Sequence, residues 1–257
     1  MLGLLARRRF LKEEDEDWHL ATWKFLLDSF GGLARLRSSP LVNATRQFFP
    51  PTECTGHARA EHIFACVKRL AGMVDWPCTL LAQPERIRTH VADYVHLKVV
   101  ENNLPLGTFM ADKNEVTITY DPALVDNPAV LVATLAHELA HYLLARIRAD
   151  VPGGEEMHEF ATDMMTVHLG FGLFGTNRAF DFSQHHDGLG HGWQYSRSGY
   201  LRERDWVFAL AVFLALRSED EEPLKKLLKP HLYADLLGAA RYLRKKPELL
   251  SELRAGA

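Results

Sequence analysis

Hydrophobic and polar spacing divides the chain into a helical stretch, a strand-like stretch and a second helical stretch. Near the start, Trp18, Trp23, Leu26, Leu27 and Phe30 follow an acidic run, Glu13-Glu14-Asp15-Glu16-Asp17, and precede Gly31-Gly32. Carboxylates in a first turn complement the helix dipole, and glycine stops a helix. The acidic run therefore reads as a helix start and not as a binding tail. Pro50-Pro51 breaks the chain before a second helix, from about Thr55 to Gly72, in which Ala60, Ile63, Phe64, Val67 and Leu70 share one face. His57 and Glu61, one turn apart on another face, read as a solvated pair. From Trp76 the pattern changes to short strands: Cys78 to Gln83, parts of Val91 to Val100, Gly107 to Ala111, and Val116 to Tyr120. Val116-Thr117-Ile118-Thr119-Tyr120 is the clearest of them, with four β-branched residues and a bounding Asp121-Pro122.

Asn127-Pro128 pairs an N-cap residue with proline at the first helical position. The helix it opens runs to about Ile147 and is apolar nearly all round, as an interior helix is. Another helix is predicted from about Glu155 to His168, ended by Gly170. The stretch from Gly170 to Gly199 is rich in glycine and histidine, lacks clear periodicity, and is long enough to suggest a functional loop. An apolar helix, Arg202 to Arg217, is followed by a charged break and two amphipathic helices. These patterns predict an α+β fold, mostly helical overall. They divide it into an N-terminal helical element over 1–75, a core over 76–217 and a C-terminal helical pair over 218–257.

Composition narrows the class. Of 257 residues, 47% are apolar and 25% charged, the balance of a globular protein with a substantial core. A net charge of -3 shows no basic excess, which argues against nucleic acid and acidic membrane surfaces as partners. No apolar run approaches the roughly 18 residues of a membrane span, and MLGLLARRRF is too short in apolar residues to read as an export signal. Cys54, Cys66 and Cys78 are far apart and form no CxxC, so reduced thiols of a cytoplasmic protein are expected. Thirteen histidines are many, and they direct attention to metal binding.

The chemistry concentrates at His137-Glu138-Leu139-Ala140-His141. Histidines four apart on a helix leave the same face and can converge on one ion. Zinc suits such nitrogen donors, and catalytic zinc sites use three protein ligands plus a water. Glu138 lies about 100° round from His137, beside the ion and not on it, where a carboxylate can serve as general base. The five-residue pattern alone arises by chance in roughly 5% of shuffled sequences of this composition. Its setting adds weight: three polar side chains inside an apolar helix cost several kcal/mol unless satisfied together, and a zinc ion satisfies them.

A third ligand is expected from the next helix. Glu159 follows His141 by 18 residues, and Asp163 is one turn further on the same face. Glu155, Glu156 and His158 are also near, and an arrangement through His168 is conceivable, although His168 faces the opposite side of the helix from Glu159. HExxH followed at this distance by ExxxD resembles the gluzincins, the thermolysin-like branch of the zincin metallopeptidases. The resemblance covers about Gly107 to Gly170 and implies that Glu159 is the third ligand and that Asp163 orients His137. It also implies that VTITY is the edge strand along which extended substrate lies. The glycine and third histidine of the metzincin motif are missing after HELAHYLLARI. The stretches GHARAEHIF, DWPC and SGYLRERDWVFALAVFLALR resemble bacterial proteins that carry the same HExxH core, a likeness that implies no particular activity.

The fold class expected is thus an α+β zincin-like core with added N- and C-terminal helices. The expected function is zinc-dependent hydrolysis of a peptide or related amide, with one Zn2+ per chain and a peptide or protein substrate. His137, His141 and Glu159 hold the ion, Glu138 acts as base and later proton donor, and Asp163 orients His137. A donor for the developing oxyanion is sought among His191, Tyr195, Arg197 and Tyr200, none of which its spacing singles out. A non-catalytic zinc-binding regulatory or interaction protein on the same fold is the alternative, against which the base at Glu138 speaks.

Overall fold

The computed structural model describes residues 9–84, 105–111, 115–183 and 201–255. It shows an α+β protein that is mostly helical. The chain begins with α1 (Glu13–Ser29), the short α2 (Gly32–Ser38) and α3 (Gly56–Ala71). Four carboxylates in the first turn of α1 match the expected helix start, and the Gly31-Gly32 stop is followed at once by α2, which the spacing did not reveal.

Three strands follow: β1 (Thr79–Ala82), β2 (Gly107–Ala111) and β3 (Val116–Tyr120). Their order is β1-β3-β2, with β1 parallel and β2 antiparallel to β3. VTITY is therefore the central strand of the described sheet, which corrects the expectation of an edge. Its β-branched residues suit pairing on both sides, and Ile118 and Tyr120 point into the core. Ile118 pairs with Phe109, and Tyr120 pairs with Gly107, so these positions share the inward face. The strand expected within Val91 to Val100 lies outside the described residues.

After a 3-10 turn, Pro122–Asp126, comes α4 (Pro128–Leu144), capped as expected by Asn127, whose side chain accepts from the Val130 N–H at 3.4 Å. It ends three residues before the expected Ile147 and is buried from Leu131 through Ala140. Around it pack α3, the sheet, α5 (His158–His168) and α6 (Gly172–Ser183). The expected helix start at Glu155 is a 3-10 turn, Glu155–Met157, leading into α5. The apolar α7 (Glu203–Arg217), α8 (Pro230–Lys245) and α9 (Glu248–Ala255) complete the chain. Buried apolar residues from Leu11 to Leu253 join in one core, so α1 and the C-terminal helices share it with α4. No helix among the described residues is long and apolar enough to cross a membrane.

Candidate metal centre

Because α4 is helical through 137–141, the imidazoles of His137 and His141 leave it one above the other, with ring centroids 4.7 Å apart. Their Nε2 atoms are 3.1 Å apart. α5 packs against α4 and brings Glu159 across, so that its Oε2 lies 3.3 Å from His137 Nε2 and 3.3 Å from His141 Nε2. Among the described residues these three form the one group with donor atoms close enough to hold a metal ion together. His137 is 6% exposed and Glu159 faces outward, so the cluster opens to solvent on the Glu159 side.

Each imidazole has a partner on its other nitrogen. His137 donates Nδ1–H to Asp163 Oδ1 at 3.0 Å, since a carboxylate can only accept. The other oxygen, Asp163 Oδ2, accepts the Leu201 N–H at 2.9 Å and so ties the cluster to the start of α7. His141 Nδ1 lies 3.3 Å from the Thr162 hydroxyl. The His141 ring is stacked between Phe109 of β2 and His158 of α5, with interplanar angles of 10° and 11°.

The electrostatics favour positive charge on His137. Burial works against charge on His137, but its hydrogen bonds to the carboxylates of Asp163 and Glu159 outweigh that and push its pKa up to about 10. Burial likewise opposes charge on Glu159, yet His137 and His141, each 3.3 Å away, hold its carboxyl well below the usual range. Glu138 lies outside the trio and is 5% exposed. Burial raises its pKa, while the two histidines and Arg178 pull the other way. The Arg178 guanidinium, on α6, donates to Thr134 Oγ1 at 3.4 Å, one turn before Glu138.

β2 runs close against this side of α4. A Cβ at Gly107 would meet Thr134 Cγ2 at 2.6 Å, Glu138 Oε1 at 2.9 Å and the Thr119 carbonyl at 3.0 Å. Only glycine lets the strand pass there without displacing the carboxylate.

The fold therefore brings together His137, Glu138, His141, Glu159 and Asp163. The competitors for the third position fall elsewhere. Glu155 and Glu156 are exposed, and His158 stacks on His141 instead of joining the trio. His168 is buried between Trp23 and Phe30 on the far side of α5. His191, Tyr195, Arg197 and Tyr200 lie outside the described residues. His57 is not simply solvated beside Glu61: its Nδ1 shares a hydrogen bond of 3.0 Å with the buried Tyr120 hydroxyl, and its Nε2 is 3.7 Å from Glu61. Sequence reasoning missed Thr162, Phe109, Gly107 and Arg178. No short motif contains them; Thr162 alone had a signal, since it shares the His141 side of α5 by helical spacing from Glu159. No family model, curated protein or solved structure matches this chain.

Proposed function

We propose that this chain is a zinc-dependent hydrolase of peptide or related amide bonds, of the gluzincin type, on a zincin-like core. The observation that supports this most is the convergence of two imidazoles and one carboxylate beside a buried glutamate that is not one of the three. Donors about 2.0–2.1 Å from a tetrahedral zinc stand about 3.3 Å from one another. The separations of 3.1, 3.3 and 3.3 Å between His137, His141 and Glu159 suit that ion. Two histidines and a glutamate are also a donor set of catalytic zinc, which leaves one position open.

Bound there, zinc would supply Lewis acidity and lower the pKa of a water towards neutrality. Glu138 takes the proton from the attacking water and passes it to the departing amine nitrogen, so the carboxylate ends as it began. Asp163 holds His137 in the tautomer whose Nε2 faces the cluster. β2 lies against Glu138 and His141, and we read it as the strand along which an extended peptide lies. The setting is read as cytoplasmic, which fits the free thiols of Cys54, Cys66 and Cys78.

Elemental analysis of purified protein tests the metal, and a mixed peptide library incubated with and without a zinc chelator tests the reaction. Cleavage that stops on chelation and returns with zinc is expected. Protein that neither carries zinc nor takes it up on addition would overturn the reading.

A further inference from the structure

Thr162 stands on α5 between Glu159 and Asp163 and is fully buried, with 0% of its surface exposed. Its hydroxyl meets two groups, the His158 carbonyl at 2.9 Å and His141 Nδ1 at 3.3 Å. A hydroxyl carries one proton and two lone pairs, and a carbonyl can only accept. The Thr162 proton is thus committed to the His158 carbonyl one turn back. What the hydroxyl presents to His141 is a lone pair, which makes a hydrogen bond only if Nδ1 carries the proton.

We propose that Thr162 is the positioning residue that fixes His141 as the Nδ1–H tautomer, with its Nε2 lone pair turned to His137 Nε2, 3.1 Å away. The proposal rests on the zinc reading above for its purpose, though not for its geometry. Asp163 does the same for His137, so two consecutive residues of one helix set both imidazoles. Stacking by Phe109 and His158 holds the plane of the His141 ring but leaves open a half-turn about its Cβ–Cγ bond. Such a flip would put carbon where Nδ1 and Nε2 now stand, and the Thr162 contact opposes it. The two arms also differ in kind. A carboxylate strengthens its imidazole as a donor, whereas a neutral hydroxyl orients without adding charge. His141 is therefore the weaker donor of the pair.

Thr162→Val keeps the shape and removes the hydroxyl, and Thr162→Ser keeps the hydroxyl. Nitrogen-15 spectra of the histidines in metal-free protein, in mildly alkaline buffer, read the tautomer directly. The parent and Thr162→Ser should show His141 protonated at Nδ1, and Thr162→Val should lose that preference with its helical circular dichroism unchanged. Zinc affinity, by competition with a chromogenic chelator, should weaken about tenfold in Thr162→Val and stay within about threefold in Thr162→Ser. A Thr162→Val protein that keeps both the Nδ1–H form and the parent affinity would overturn the proposal. So would a parent spectrum with His141 protonated at Nε2, which needs no variant to fold. A parent that shows the Thr162-dependent tautomer but takes up no zinc would instead overturn the metal reading alone.

Discussion

The Asp163 carboxylate faces His137 with one oxygen, accepting its Nδ1–H at 3.0 Å, while the other oxygen accepts the backbone N–H of Leu201. One buried side chain thus orients the His137 imidazole and fastens the start of α7 to α5. Replacing it by alanine leaves both donors buried without an acceptor. Asp163→Ala should lower zinc affinity about 10- to 100-fold and cost about 1–3 kcal/mol of stability. Zinc titration and urea unfolding check the two effects separately, and a change in neither would show that the pair is incidental.

The three donors should act as a closed set. About one zinc per chain is expected, and His137→Ala, His141→Ala and Glu159→Ala should each lose it, with a fall in unfolding temperature like that caused by a chelator. Glu155→Ala, Glu156→Ala and His158→Ala should keep their zinc, since none of these joins the cluster. Loss of the metal from one of the latter variants, with Glu159→Ala unaffected, would move the third ligand.

Glu138 is beside the trio and not in it. Glu138→Gln keeps the shape and removes the basicity, so zinc content and unfolding temperature should match the parent while hydrolysis falls by about 10²- to 10⁴-fold. A variant that cleaves as fast as the parent would rule out this carboxylate as the proton carrier. A protein with zinc as a staple alone would lose nothing in either measurement.

Gly107 lies where an added methyl would stand 2.9 Å from Glu138 Oε1 and 3.0 Å from the Thr119 carbonyl. Backbone on one side and a packed helix on the other leave little room to yield. Gly107→Ala should therefore cost about 1–3 kcal/mol and reduce hydrolysis while leaving zinc content intact. Parent-like turnover in that variant would mean that β2 can move away from α4 freely.

His168 offers a test unrelated to the metal. Its ring nitrogens have no hydrogen-bond partner among the described residues, and burial, with the nearby Arg35 charge, pulls its pKa down to about 4. The folded state therefore binds this proton more weakly than the unfolded chain, where histidine titrates near 6.5. The associated stability is fully present above about pH 6.5 and is lost as pH falls from there towards 4. Between pH 7.5 and pH 5 the parent should lose about 2 kcal/mol more than His168→Leu. Equal losses in urea unfolding at the two pH values would place the acid sensitivity elsewhere.

Local features of this protein were settled by the chain itself. The pairing of His137 with His141 on one face needs only helical spacing, and α4 declares itself through an apolar pattern opened by Asn127-Pro128. The α1 and α7 ranges are likewise local, set by first-turn carboxylates in one and a long apolar run in the other. Packing between elements decided the rest. Glu155, Glu156, His158 and Glu159 lie within five residues, and only the approach of α5 to α4 selects the last as the donor that reaches both imidazoles. VTITY reads as a strand from five residues, but its central place depends on β1 and β2, which come from distant parts of the chain. The helix α6 was hidden because Gly172 and Gly175 interrupt its pattern; Trp206 of α7 packs where a Gly175 side chain would be, within 2.2 Å of its Cβ position. Propensity argues against glycine in a helix, and a tertiary contact overrode it. The Thr162 hydroxyl follows the same logic: helical spacing from Glu159 sets its side of α5, and only the packing of α4 brings His141 within reach.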